Sequence, residues 1–168
     1  LNPILKITDY KGEVLEEDKA KETENVISSG VAFLLTNILA DDKARSAAFG
    51  PNSLLNITGK TVSVKTGTTN NLRDNWAIGF TPSYVVVSWV GNNDNTPMSG
   101  IASGITGATP IFHDIMTNLL KDKSDEPFSQ PAEVIRSQAC GRADFFIAGT
   151  EKTVVCPPPP SPSPSPTP

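Results

Sequence analysis

The chain has 168 residues, 38% of them hydrophobic and 19% charged, with a net charge of -4 and a pI of about 4.9. That is enough for one domain with a core of its own, and an acidic balance without any Lys/Arg cluster excludes a nucleic-acid grip. No apolar run is long enough to span a bilayer and no signal peptide opens the sequence; the first residue is Leu1 rather than methionine, so the expectation is a piece of a longer protein whose export signal or anchor lies outside it.

Two short alternating runs about a Lys-Gly turn come first, Ile4, Leu5 and Ile7 before it and Val14 and Leu15 after it. They predict a β-hairpin. The stretch SSGVAFLLTNILADD carries Val31, Leu34, Leu35, Ile38 and Leu39 at helical spacing, with Ser28 or Ser29 as the cap. DDKARSAAFG reads as a further short helix closed by Gly50. Three strands are expected next, over 61–66, 75–80 and 84–90, and their short links favour antiparallel pairing. YVVVSWV is apolar at nearly every position, which suits a strand covered on both faces. Trp76 and Trp89 are accordingly expected in the core.

A Gly/Asn/Ser-rich loop follows. The GNNDN around Asp94 lacks the spacing and closing Glu of a calcium loop, and two Cys with a single histidine, His113, make a poor metal site. In TPIFHDIMTNLLKD, Thr109 suits an N-cap and Pro110 the first helical position. Ile111, Phe112, Ile115, Met116, Leu119 and Leu120 form a stripe that should lie on the sheet, with His113 beside it in a structural or surface role. Over 125–156, AEVIRSQAC and TEKTVVC are expected as two strands of a small module. Cys140 and Cys156 either close that module as a disulfide in an oxidising compartment or remain free thiols. From Pro157 to Pro168 the sequence is Pro/Ser low complexity, read as a solvated, polyproline-like tail.

The chemistry concentrates in TVSVKTGTTNNLRDNW. Val62 and Val64 share one face of a strand and anchor it. Gly67 removes a side chain where something can approach the backbone closely, and a peptide could add to that edge as a further strand. Lys65 supplies a positive charge, Thr66 and Thr68 supply hydroxyl donors, and an amide after the glycine could face a developing oxyanion. The set suits an extended peptide ending in a carboxylate. Strict alternation sends Lys65 and Thr66 to opposite faces, which is the difficulty such a site has to resolve.

Lys-Thr-Gly at a strand end resembles the third motif of penicillin-binding proteins and class A β-lactamases. VKTGTTNNLRDNWAIGFTPSYVVVSWVGNNDN followed by GATPIFHDIM, with LADDKARSAAFG before it, is similar to the C-terminal part of the transpeptidase domain of class A, bifunctional penicillin-binding proteins. The likeness runs from about Pro3 to Leu120. It implies an α/β fold of the α+β type, part of a penicillin-binding, β-lactamase-like domain with an antiparallel sheet and flanking helices. It implies a serine-type D-Ala-D-Ala transpeptidase of peptidoglycan synthesis that needs no cofactor. Its partners would be stem peptides and β-lactams, and its parent would be anchored in the cytoplasmic membrane, facing outward, with an N-terminal glycosyltransferase domain. By match to the motif, Lys65 and Thr68 are the catalytic candidates, and Thr66, Gly67 and Thr68 bind substrate. The resemblance also implies that the main-chain N–H of Thr68 would be one half of an oxyanion hole.

The family also uses a Ser-x-x-Lys nucleophile and a Ser-x-Asn motif, and neither occurs in this sequence. The expected organisation is therefore a transpeptidase portion over 1–122 lacking the lobe that bears the nucleophile, an appended segment over 123–156 and the tail over 157–168. Such a chain would be inactive by itself and would expose apolar surface on one side of its sheet. A non-catalytic binding module for cell-wall peptides and a serine β-lactamase-like hydrolase are the alternatives.

Overall fold

The computed structural model describes residues 4–18, 25–98 and 105–158; the end of the Pro/Ser tail, 159–168, lies outside them. The elements run β1 (Lys6–Thr8), β2 (Val14–Glu17), α1 (Ser29–Ala40), α2 (Asp42–Phe49), β3 (Ser63–Thr68), β4 (Asp74–Phe80), β5 (Val85–Gly91), α3 (Ala108–Leu120), β6 (Val134–Ala139) and β7 (Arg142–Ile147). β1 and β2 form the expected hairpin, with Asp9 Oδ1 accepting the turn amides of Lys11 and Glu13, each at 2.8 Å. α1 starts at Ser28, whose Oγ accepts the Val31 N–H at 3.3 Å. α2 starts at Asp41 and ends at Gly50, whose φ of 79° a residue with a Cβ adopts at a cost.

β3, β4 and β5 make one antiparallel sheet in that order. Opposed residues share a face, so Val64, Gly79 and Val86 line up on one side, as do Thr66, Ala77 and Ser88, and then Thr68, Asn75 and Val90. α3 packs there. Phe112, Met116 and Leu120 are buried against Val62, Val64, Ala77, Val86, Leu55 and Ile57. Gly79 is demanded by this packing, because a Cβ would stand 2.5 Å from the Phe112 ring. Ser88 Oγ, buried, donates to the Ala108 carbonyl at 2.7 Å and so ties the first turn of α3 to the sheet.

The other face carries Ser63, Phe80 and Val85, then Lys65, Ile78 and Val87, then Gly67, Trp76 and Trp89. α1 covers only its end, where Ser63 Oγ donates to the Thr36 carbonyl at 2.8 Å. Phe128 packs edge-on to Phe80 with ring centroids 5.7 Å apart. Trp76, Ile78, Val85, Val87 and Trp89 stay exposed. This is the apolar surface the sequence led us to expect, and it corrects two other expectations. Among the described residues β5 is an edge strand covered on one face only, and the two tryptophans are not core residues: Trp76 and Trp89 are 38% and 39% exposed. The apolar run of β5 therefore leaves Val85, Val87 and Trp89 exposed on the face away from α3.

Three local expectations also change. β3 does not stop at Thr66 but continues through Gly67 and Thr68, because β4 pairs with it as far as Asn75. α3 begins at Ala108 after Gly107, so Pro110 is its third residue and Thr109 is not the cap; the Ala108 N–H is satisfied from the sheet, by Asn75 Oδ1 at 2.7 Å. The stripe of α3 splits, since only Phe112, Met116 and Leu120 face the sheet while Ile111, Ile115 and Leu119 point outward. His113 is half-buried, its Nδ1 2.8 Å from the Leu54 carbonyl.

Beyond α3 the chain turns back along the domain. The Asp125 carboxylate accepts from the Thr61 N–H at 2.6 Å and from its hydroxyl at 2.8 Å. β6 and β7 then form a hairpin against α1, with Phe145 edge-on to Phe33 at 5.3 Å. The second strand is Arg142–Ile147, and TEKTVVC, expected as a strand, instead holds a 3-10 turn at Thr150–Thr153. Cys140 and Gly141, at φ of 52° and 78°, turn the chain at once and recruit the residues directly after them. Cys140 and Cys156 are joined, with their Cα atoms 5.3 Å apart.

Candidate functional site

β3 is the outer strand of its sheet, and among the described residues no strand pairs with its far side. Along that edge the structure brings together all four residues singled out from the sequence. Lys65 is exposed on the open face beside Ile78, with Nζ donating to the Thr66 carbonyl at 2.5 Å. Thr66, half-buried, and Thr68, exposed, lie on the face that α3 packs against. Gly67 stands between them, opposite Trp76.

The alternation difficulty disappears at an edge strand. A chain added alongside β3 has both faces of the sheet within reach, so Lys65 from one face and Thr66 and Thr68 from the other can serve the same ligand. Gly67 fits that geometry. Among the described residues a Cβ there would meet only the Trp76 Cβ, at an ordinary 3.8 Å, so their packing does not require glycine at this position, in contrast to Gly79. What glycine provides is clearance along the outer edge.

Beside Lys65 and Thr66 lies an open groove of about 340 Å³, lined by Ile38, Leu39, Phe49, Leu55 and Val64, with Arg45 at its margin. Arg45 is anchored: its guanidinium donates to the Leu39 carbonyl and pairs with Asp42 at 3.4 Å.

The strand end is held by the turn that follows it. The Thr69 N–H donates to the Asp74 carbonyl at 3.0 Å, and the Asp74 N–H returns a bond to Thr69 Oγ1 at 2.8 Å. Asp74 Oδ1 accepts from Trp89 Nε1 at 2.9 Å. Arg73 donates to the Asn95 carbonyl, and the Met98 N–H to the Leu72 carbonyl at 2.8 Å. Arg73 and Asp74 thus stabilise this loop. Asp94 uses its carboxylate on the Thr96 hydroxyl and N–H, at 2.8 and 3.1 Å, and the Thr96 hydroxyl first among these holds it below the usual carboxylate range. No group of three or more His, Cys, Asp or Glu among the described residues could hold a metal ion.

One residue of this region was not singled out from the sequence. Asn75 is fully buried and bridges Thr68, which takes its Nδ2–H at 3.3 Å, and the Ala108 N–H. An asparagine inside an otherwise apolar strand is itself a signal, since asparagine is depleted in strands.

Residues 2–117 match the family model described as the penicillin binding protein transpeptidase domain. The chain is 35% identical over 127 residues to penicillin-binding protein 1A of Rickettsia bellii (strain RML369-C), covering 76% of this chain and 15% of that protein. It is 30% identical over 169 residues to penicillin-binding protein 1A of Aquifex aeolicus (strain VF5), covering 91% and 22%. The crystal structure of penicillin-binding protein 1A from Haemophilus influenzae shares the fold with a TM-score of 0.63 at 24% identity, over 88% of this chain and 29% of that one. The chain thus spans less than a quarter of either curated relative. With its antiparallel sheet, flanking helices and Lys-Thr-Gly edge, this chain belongs to the penicillin-binding protein transpeptidase family.

Proposed function

We propose that the outer edge of β3 is the substrate wall of a peptidoglycan D,D-transpeptidase site. The observation that carries this reading is Gly67, a glycine without an internal steric reason on an unpaired edge, flanked by the exposed Lys65 and Thr68. A D-Ala-D-Ala stem would lie along β3 as an added strand. The hydroxyls of Thr66 and Thr68 would donate to its terminal carboxylate. The Thr68 N–H would meet the carbonyl oxygen as negative charge develops there. The Lys65 charge would orient and activate the reacting hydroxyls.

In the reaction of the whole domain, a serine oxygen bonds to the penultimate D-Ala carbonyl carbon and the peptide bond to the last D-Ala breaks. That residue departs as an amine, taking the serine's proton. The amine of a neighbouring stem then attacks the ester, forms the cross-link and releases the serine. A β-lactam presents the same carboxylate and a strained amide, so it would acylate the same serine. No serine here has Lys three residues on. We therefore assign the nucleophile to a part of the domain outside this chain, whose place is against the exposed face of Trp76, Ile78, Val87 and Trp89.

We read 1–122 as the transpeptidase portion and 123–156 as a segment folded back onto it. No described helix is long and apolar enough to cross a membrane. The reading places the parent at the outer face of the cytoplasmic membrane, held by an anchor elsewhere.

Titration of the isotopically labelled chain with N-acetyl-D-Ala-D-Ala tests the substrate wall. Amide shifts confined to the region of β3, and abolished in Lys65→Ala, are expected. Shifts centred elsewhere overturn the reading. Incubation with a fluorescent penicillin should leave the chain unlabelled, and covalent labelling would show that a nucleophile lies within it. The chain's lack of that nucleophile is what favours the second reading, a module that binds cell-wall peptide without catalysis. Acylation of a longer protein containing this chain separates the two.

A further inference from the structure

Resting on the substrate-wall reading, we infer that Asn75 is a positioning residue that sets the Thr68 hydroxyl as a donor and so makes the site select a carboxylate. The residue is fully buried, and both ends of its amide are engaged. The Ala108 backbone can only donate, so the atom facing it must be Oδ1. That interaction, at 2.7 Å, fixes which way the amide lies. Nδ2 is then forced toward Thr68, where it can only donate, and Thr68 Oγ1 accepts it at 3.3 Å. The register supports this, since Thr68 and Asn75 are opposed across the β3–β4 ladder. Accepting from Asn75 occupies one of the two lone pairs of the hydroxyl and turns its proton away from the amide, and no described residue accepts the Thr68 proton. The proton is left for a ligand on the exposed side of Thr68.

The packing closes tightly around the amide. A Cβ at Gly107 would stand 2.9 Å from Asn75 Oδ1, so the start of α3 closes on the side chain and glycine is needed there. The Ser88 hydroxyl holds the same turn of α3 from the neighbouring strand through the Ala108 carbonyl. A chain of fixed donors thus runs from the first turn of α3, through Asn75, to the rim of the edge strand. A ligand group that only accepts, such as a carboxylate, suits this arrangement. A primary amide can take this proton only through its carbonyl oxygen, whereas either oxygen of a carboxylate can take it, and with charge.

Two measurements on the labelled chain test this. Without ligand, Thr68→Val removes the acceptor at an exposed position, and the Asn75 side-chain amide protons should then exchange faster and shift upfield. An unchanged Asn75 side-chain signal in Thr68→Val overturns the inference whether or not any peptide binds. With ligand, the wild-type chain should prefer N-acetyl-D-Ala-D-Ala over its C-terminal carboxamide by about ten-fold, and Asn75→Ala, which frees the Thr68 hydroxyl to rotate, should bring that ratio close to one. A ratio unchanged in a folded Asn75→Ala chain overturns the inference while leaving the substrate wall standing. If Asn75→Ala does not fold, Asn75→Asp replaces it: its carboxylate takes both the Ala108 N–H and the Thr68 proton, so the ratio should again collapse. If Lys65→Ala binds the acid as well as the wild type does, the substrate-wall reading fails instead, and the ligand-free comparison still decides the role of Asn75.

Discussion

Glu133 closes the first turn of α1 from 103 residues away, its Oε1 accepting the Gly30 N–H at 2.5 Å and the Ser29 hydroxyl at 3.2 Å. A carboxylate at a helix N-terminus satisfies donors that have no partner within the helix and complements the helix dipole. Glu133 lies beyond residue 117, where the family match ends. The segment after α3 therefore contributes to how α1 is held, and α1 in turn holds β3 through Thr36 and Ser63.

Gly30→Ala tests that docking by its sign. Replacing glycine by alanine in a helix ordinarily stabilises by about 1 kcal/mol. Here the added Cβ would stand 2.5 Å from Ile147 Cδ1 and 2.6 Å from Glu133 Oε1. We expect destabilisation of about 1–3 kcal/mol from overpacking, read by urea unfolding. A more stable variant would show that the hairpin does not sit on α1 in solution.

Two glycines of the same sheet should respond in opposite ways. Gly79→Ala drives a Cβ into the Phe112 ring at 2.5 Å and should cost about 1–3 kcal/mol of stability. Gly67→Ala meets nothing closer than 3.8 Å and should change stability by less than about 1 kcal/mol, yet weaken binding of N-acetyl-D-Ala-D-Ala. Unfolding curves and peptide titration on the pair separate a packing glycine from a clearance glycine.

The clasp between Asp125 and Thr61 predicts an acid dependence. The Thr61 backbone N–H bonded to Asp125 is the main cause that holds its carboxyl below the usual range, against a smaller opposing effect of burial. A lowered native pKa means that the unfolded chain binds the proton more readily, so the stabilisation is complete above the unfolded aspartate pKa of about 3.9 and is lost as pH falls through the native value. Asp125→Asn should flatten that part of the stability profile, and thermal melts between pH 6 and the acid limit provide the comparison. A profile identical to wild type would remove Asp125 from the account.

The bond between Cys140 and Cys156 closes a loop with a sequence separation of 16. Chain-entropy reasoning gives up to about 3 kcal/mol for a loop of that size. Reduction, or a Cys140→Ser/Cys156→Ser double variant, should lower the urea midpoint and loosen the β6–β7 hairpin. Backbone amides of β3, β4 and β5 should keep their shifts. An unchanged midpoint would mean that the hairpin holds its place without the bridge.

Much of the architecture was legible in the sequence because it rests on local rules. Helical spacing from Val31 to Leu39, the serine cap, the closing Gly50, and alternation about Val62 and Val64 each follow from the few residues nearby. The Lys-Thr-Gly cluster was legible for the same reason, since a charge, two hydroxyls and a missing Cβ on consecutive residues must share one stretch of backbone. Residue type and order therefore determined the elements as far as Leu120, their antiparallel pairing and the candidate edge.

Only the tertiary structure decided which surfaces are covered and which distant groups meet. Whether Trp76 and Trp89 are buried depends on a layer over the open face, and apolar composition cannot say whether that layer is present. The start of α3 depended on Asn75 in a strand 33 residues away, and the N-terminal turn of α1 on Glu133. Such partners are brought together by the closing of the whole chain, and no local period in the sequence encodes them.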